Sequence, residues 1–79
     1  MSNLEKYNQA FCATFGVEQA LVNDALVYQA IPEWDSVGHM GLIAALEEMF
    51  DIMLETEDII DFESYSHGKV ILKKYGMII

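Results

Sequence analysis

The chain has 79 residues, with thirteen acidic side chains against four lysines and no arginine, for a net charge of −9. A chain this short buries only about 60% of its unfolded surface, which predicts one domain over residues 1–79 with little room for a catalytic cleft. So strong a negative charge disfavours nucleic acid and anionic membranes and favours basic partners. One cysteine excludes an internal disulfide, and no run of roughly 20 apolar residues marks a membrane span or leader. The expectation is a cytoplasmic monomer.

Ser2-Asn3-Leu4-Glu5 has the spacing of a capping box, and Leu4, Tyr7, Phe11 and Phe15 recur at intervals of three and four up to Gly16. This predicts a first helix over about residues 3 to 15, ended by the glycine. Residues 17 to 33 lack sustained periodicity, apart from a possible helical turn at 18 to 22, and are broken by Asn23-Asp24 and Ile31-Pro32. They read as a long ordered loop pinned by Val17, Leu21, Val22, Leu26, Val27 and Ile31, with Tyr28 in the same role.

Helical periodicity returns at Trp34-Asp35-Ser36 and runs to Asp51. At 100° per residue, His39, Leu42, Leu46 and Phe50 fall on one side, flanked by Ile43 and Met49, and form a core face. Val37, Met40 and Ala44 fall on the other side among Glu47, Glu48 and Asp51, an apolar and acidic mixture suited to docking. Ser36 stands at the helix N-terminus, where unpaired amides and the positive end of the dipole favour a phosphate.

Ile52-Met53-Leu54 reads as an apolar link tucked inward. Thr56, with Glu57 and Asp58 behind it, predicts the cap and first turn of a short third helix. Ser64 or Ser66 caps a last helix that turns Val70, Ile71, Leu72 and Tyr75 inward, carries Lys69, Lys73 and Lys74 toward its C-terminal end, and stops at Gly76. The fold class is therefore all-α, a four-helix bundle with a long first loop and a short third helix.

The Asp35-Ser36-Val37 triplet, with Trp34 before it and an acidic amphipathic helix ending Leu46-Glu47-Glu48-Met49-Phe50 after it, resembles the attachment motif of acyl carrier proteins. Length, acidity and the near-central serine extend the resemblance over essentially the whole chain. It implies that Ser36, preceded by Asp35, carries a 4′-phosphopantetheine arm donated from coenzyme A by a phosphopantetheinyl transferase, and that the arm's thiol holds acyl groups as thioesters. It further implies docking of acyl-loading and acyl-using enzymes on Val37, Met40, Ala44, Glu47, Glu48 and Asp51, and burial of the acyl chain between the Leu42/Leu46 face and Leu54, Ile59 and Phe62. Gly38, Gly41 and Glu55 depart from the pattern of fatty-acid synthesis and favour a specialised lipid or polyketide pathway. D-alanyl and aminoacyl or peptidyl carriers share the fold, and the rival of another class is a small acidic helical adaptor in which Ser36 only caps.

The acidic residues Glu47, Glu48, Asp51, Glu55, Glu57, Asp58 and Asp61 crowd one region without a lysine among them and read as electrostatic bait for basic enzymes. His39 and His67 lack partners at ligand spacing, so no metal site is expected. His39 reads as a packed or hydrogen-bonded residue and Cys12 as a small core residue. Ser36 lacks a Gly-x-Ser-x-Gly elbow. It reads as an acceptor, and the chain as a non-catalytic protein.

Overall fold

The computed structural model describes residues 2–79. It holds four α-helices, α1 (Asn3–Phe15), α2 (Ser36–Phe50), α3 (Thr56–Asp61) and α4 (Tyr65–Lys73), with a single 3-10 turn at Gln19–Leu21. The described residues are all-helical, without a strand, and fill 29 × 27 × 20 Å.

Helix α1 begins as its sequence predicts. The Ser2 hydroxyl accepts from the Glu5 amide at 3.1 Å while the Glu5 carboxylate accepts from the Ser2 amide at 3.4 Å, satisfying two of the donors a helix start leaves open. Its last turn closes on Gly16, whose φ of +64° is left-handed and whose amide donates to the Cys12 carbonyl at 2.9 Å. Tyr7, Ala10, Phe11 and Phe15 are buried, whereas Leu4 stays exposed.

The core is aromatic at its centre. Phe11 meets Tyr7, Phe15, Trp34 and Tyr65 at ring centroid separations of 5.0–5.9 Å, all four edge-to-face, an arrangement the ring quadrupoles favour. Around these rings pack Leu42, Ile43 and Leu46 of α2, Leu54, Phe62, and Ile71 and Leu72 of α4. The Tyr7 hydroxyl donates to the Tyr65 carbonyl at 2.6 Å. Burial, and secondarily the neighbouring Tyr65, pushes the Tyr7 phenol well above its ordinary range, so it stays a neutral donor. Gly68 lets α4 approach this centre, because a Cβ there would overlap the Tyr7 hydroxyl and the Phe62 ring.

The long loop between α1 and α2 is tied down at both ends of its span. Val22 and Leu26 enter the core, with Val17, Ile31 and Tyr28 against its edge. Tyr65 donates its amide to the Leu26 carbonyl at 2.9 Å and Tyr28 donates to the Glu63 carbonyl at 2.7 Å, forming an isolated bridge between Val27 and Ser64. Leu21 and Val27, expected as pins, are exposed instead, since the short turn and the bridge point their side chains outward.

Four further expectations are corrected. Met53 is 83% exposed: in the link after α2, Ile52 and Leu54 turn inward and the residue between them turns out. Val70 is 53% exposed, because three consecutive apolar residues cannot share one helix face. Thr56 is the first residue of α3 and Glu55 its cap, which makes no side-chain cap bond. Helix α4, capped by Ser64, whose hydroxyl accepts from the His67 amide, ends at Lys73, and Gly76 with φ +85° makes the turn beyond it. Met77 and Ile79 pack against the core, while Ile78 is exposed.

Candidate functional site

The start of α2 is set by Asp35, whose carboxylate accepts from the Gly38 amide at 2.8 Å. Asp35 is thus the N-cap and Ser36 the first helical residue. With the Gly38 amide capped and the His39 amide bonded to the Asp35 carbonyl, the Ser36 and Val37 amides have no partner among the described residues. Gly38 permits this tight start, because a Cβ on it would collide with the Glu33 carbonyl.

Ser36 is exposed. Its Oγ has one side-chain polar neighbour, the Tyr28 hydroxyl at 3.4 Å. Beside it opens a cleft of about 410 Å3 lined by Tyr28, Ser36, His39, Met40, Ile59, Ile60, Phe62 and Glu63. The cleft runs between the start of α2 and α3, and its walls are mainly apolar. A second depression, of about 590 Å3, shares Tyr28 and Glu63 with it and adds Val27, Asp61, Ser64 and His67. This one is more polar and does not reach Ser36.

The floor of the cleft is held by one imidazole. His39 accepts from the Trp34 indole at Nδ1 (3.0 Å), so the hydrogen sits on Nε2, which donates to the Ile59 carbonyl at 2.8 Å. The ring stacks on Trp34 and meets Phe62 edge-to-face. Of the residues expected to flank a buried acyl chain, Leu42, Leu46 and Leu54 are packed core residues that do not line the cleft, whereas Ile59 and Phe62 do. The open space lies nearer the surface, against Met40, Ile59 and Ile60.

The outer face of α2 divides into two kinds of residue. Val37 is 81% and Met40 54% exposed, and Ala44, Glu48 and Asp51 are exposed with them. Glu47 differs: it is half-buried and its carboxylate accepts from the Leu54 amide at 2.8 Å, so it also braces the link after α2. Asp51 is the left-handed C-cap of α2, its amide donating to the Glu47 carbonyl.

The acidic patch is corrected at Asp58. This carboxylate is 5% exposed and accepts from the Lys74 ammonium at 2.6 Å and from the Tyr75 hydroxyl at 2.5 Å. The Lys74 hydrogen bond, then that of Tyr75, holds it below the usual carboxylate range, against the opposing effect of desolvation. Tyr75 in turn accepts from the Glu55 amide at 2.9 Å, so α3 is fastened to the segment after α4. Glu48, Asp51, Glu55, Glu57 and Asp61 remain exposed.

Sequence reasoning passed over Ile60, Glu63 and the depth of Trp34. Ile59-Ile60 carries a usable signal, since adjacent apolar residues on a short helix cannot both face the core. Nothing local announces Glu63. Cys12 is half-buried at the core's edge, and His67 is exposed. Among the described residues no three His, Cys, Asp or Glu converge on a metal position, and no helix is long and apolar enough to cross a membrane.

The donor set suits a phosphate-linked group on Ser36: an exposed hydroxyl, two unpartnered amides at the positive end of a fifteen-residue helix, and an adjoining apolar cleft. The Asp35 carboxylate, engaged by Gly38, and the Glu63 carboxylate of the cleft are charges that oppose it. No protein-family model, curated protein or solved structure matches the chain.

Proposed function

We propose that the chain is an acyl carrier protein, a cytoplasmic four-helix bundle in which Ser36 is the attachment point of 4′-phosphopantetheine. The observation that carries this reading is that Asp35, not Ser36, caps α2. Capping would have been sufficient reason for a serine there, and with that duty taken by its neighbour the exposed hydroxyl has no structural work. The Asp35-Ser36-Val37 resemblance supplies a use for it.

In this reading the Ser36 oxygen bonds to the β-phosphorus of coenzyme A as the pyrophosphate bond breaks. The hydroxyl proton passes to the transferase and adenosine 3′,5′-bisphosphate leaves. The attached group supplies a thiol that holds acyl cargo as a thioester. What this chain contributes is placement: amides facing the new negative charge, a cleft beside the tether, and an exposed Val37, Met40 and Ala44 strip with Glu48 and Asp51 for basic partner enzymes. A tether raises the local concentration of its cargo at whichever enzyme has docked, so docking itself can be weak and reversible.

Intact-mass analysis after incubation with coenzyme A and a broad-specificity phosphopantetheinyl transferase tests the proposal. The expected result is one phosphopantetheinyl adduct on the wild type and none on Ser36→Ala. A folded wild-type protein that stays unmodified overturns it in favour of an adaptor without prosthetic group.

A further inference from the structure

Tyr28 stands on the loop before α2, and its ring is held from several directions. The backbone is anchored by its amide bond to the Glu63 carbonyl, and the ring meets Trp34 and His39 edge-to-face at 6.3 and 5.7 Å between centroids. Its hydroxyl, by contrast, has a single polar neighbour among the described residues, Ser36 Oγ at 3.4 Å. Bonds of the O–H···O type cluster near 2.7–2.8 Å, so this contact is weak. A fixed ring carrying a loosely engaged hydroxyl is pre-organised for a nearer acceptor. Packing explains the ring and not its oxygen, since phenylalanine would make the same edge-to-face contacts.

The other side chains of the cleft leave few alternatives. No lysine or arginine lines it. Both ring nitrogens of His39 are engaged, with Trp34 and with Ile59. Met40, Ile59, Ile60 and Phe62 donate nothing, and Glu63 is a carboxylate that repels an anion. Beside Ser36, the Tyr28 hydroxyl is therefore the one uncommitted side-chain donor of the cleft among the described residues.

We propose that Tyr28 is a positioning residue for a phosphodiester on Ser36, its hydroxyl donating to a non-bridging phosphate oxygen and so setting the direction in which the attached group leaves the protein. The inference rests on the carrier reading. A non-bridging oxygen lies one bond beyond the phosphorus attached to Oγ, within reach of a hydroxyl already 3.4 Å from that atom. Tyr28 also stands where the apolar cleft meets the polar depression. A phosphate held on its hydroxyl starts the chain beyond it on the Met40 and Ile59 side.

The test compares wild type and Tyr28→Phe, each modified with coenzyme A by the same transferase, by 31P NMR of the diester. The expected result is equal melting of the two unmodified proteins, with 31P lines in the modified pair separated by more than the linewidth and coincident once both are unfolded in urea. Coincident lines in the folded proteins overturn the role of Tyr28 and leave the carrier reading intact. An unmodified wild type overturns both. Should Tyr28→Phe fail to fold, the wild type decides: the Tyr28 hydroxyl proton exchanges more slowly with solvent after modification, and unchanged exchange overturns the inference.

Discussion

The Trp34 indole donates to Nδ1 of His39 across 3.0 Å, and the opposite nitrogen of that ring donates to the Ile59 carbonyl at 2.8 Å. One side chain thus joins the loop, α2 and α3. Trp34 is fully buried, so His39→Phe, which keeps a ring in place but accepts nothing, strands the indole donor. A buried unsatisfied donor costs about 1–3 kcal/mol. Urea unfolding should show a loss of that order, and a change within experimental error refutes the bridging role.

Two glycines of α2 respond in opposite directions to the same substitution. At Gly38 a methyl overlaps the Glu33 carbonyl, and Gly38→Ala should destabilise by about 1–3 kcal/mol, the cost of overpacking, despite the gain in helix propensity. At Gly41 the nearest atom to a new Cβ is Thr14 Cγ2 at 3.5 Å, ordinary contact. Gly41→Ala should stabilise by up to about 1 kcal/mol. Melting temperatures moving in the same direction contradict this account of the helix start.

Asp58 makes the acid limb of stability predictable in sign. Its carboxyl is held below the ordinary value by Lys74 and Tyr75, so its contribution is complete above the unfolded value, near pH 4, and is lost as pH falls through the folded one. The Lys74 and Tyr75 pKa values are both raised, chiefly by their hydrogen bonds to Asp58, so their contributions are complete below pH 10 and lost in more alkaline solution. Asp58→Asn should melt earlier than wild type at pH 7, and the gap should close as pH drops below about 4. A gap that is constant from pH 7 to pH 2 rules out the ion pair as its source.

Glu47 and Glu48 are adjacent in sequence and separate in role. Glu47→Lys removes the acceptor of the Leu54 amide and should cost about 1.5 kcal/mol, the lower end of the range for a hydrogen bond to a charged group. Exposed Glu48 has no such bond, and Glu48→Lys should leave stability within about 0.5 kcal/mol. In the carrier reading it also slows phosphopantetheinyl transfer at low salt, with the difference fading as salt is added. Equal kinetics at low ionic strength remove Glu48 from the docking face.

The helices were legible in the sequence because their signals are local. The Ser2/Glu5 box, the Tyr7-Phe11-Phe15 spacing and Gly16 bound α1 without reference to anything distant. Where two good caps stand side by side, the residues alone do not choose. Asp35 and Ser36 both prefer that position, and the choice falls to Asp35 because its carboxylate reaches the Gly38 amide. At Glu55 and Thr56 the residue with the weaker preference occupies the cap, held by its amide to the Tyr75 hydroxyl.

The site was less legible for the same reason. Ser36, Val37 and Met40 follow from helical phase. That Tyr28 stands beside Ser36 and that Asp58 meets Lys74 depends on pairings 8 and 16 residues apart that no periodicity encodes. The acidic stretch after α2 looked uniform as a string of letters, and only packing distinguishes Asp58 and Glu47, engaged in structural bonds, from the charges left in solvent.

The Tyr7 hydroxyl finds its acceptor 58 residues downstream. During synthesis α1 is therefore made without the partner of Tyr7, and at about 5–20 residues per second roughly 3 to 12 s separate the addition of Tyr7 from that of Tyr65. Through that interval the aromatic face of α1 lacks the stretch of chain that roofs it in the finished fold, so the bundle cannot close until nearly its whole length exists.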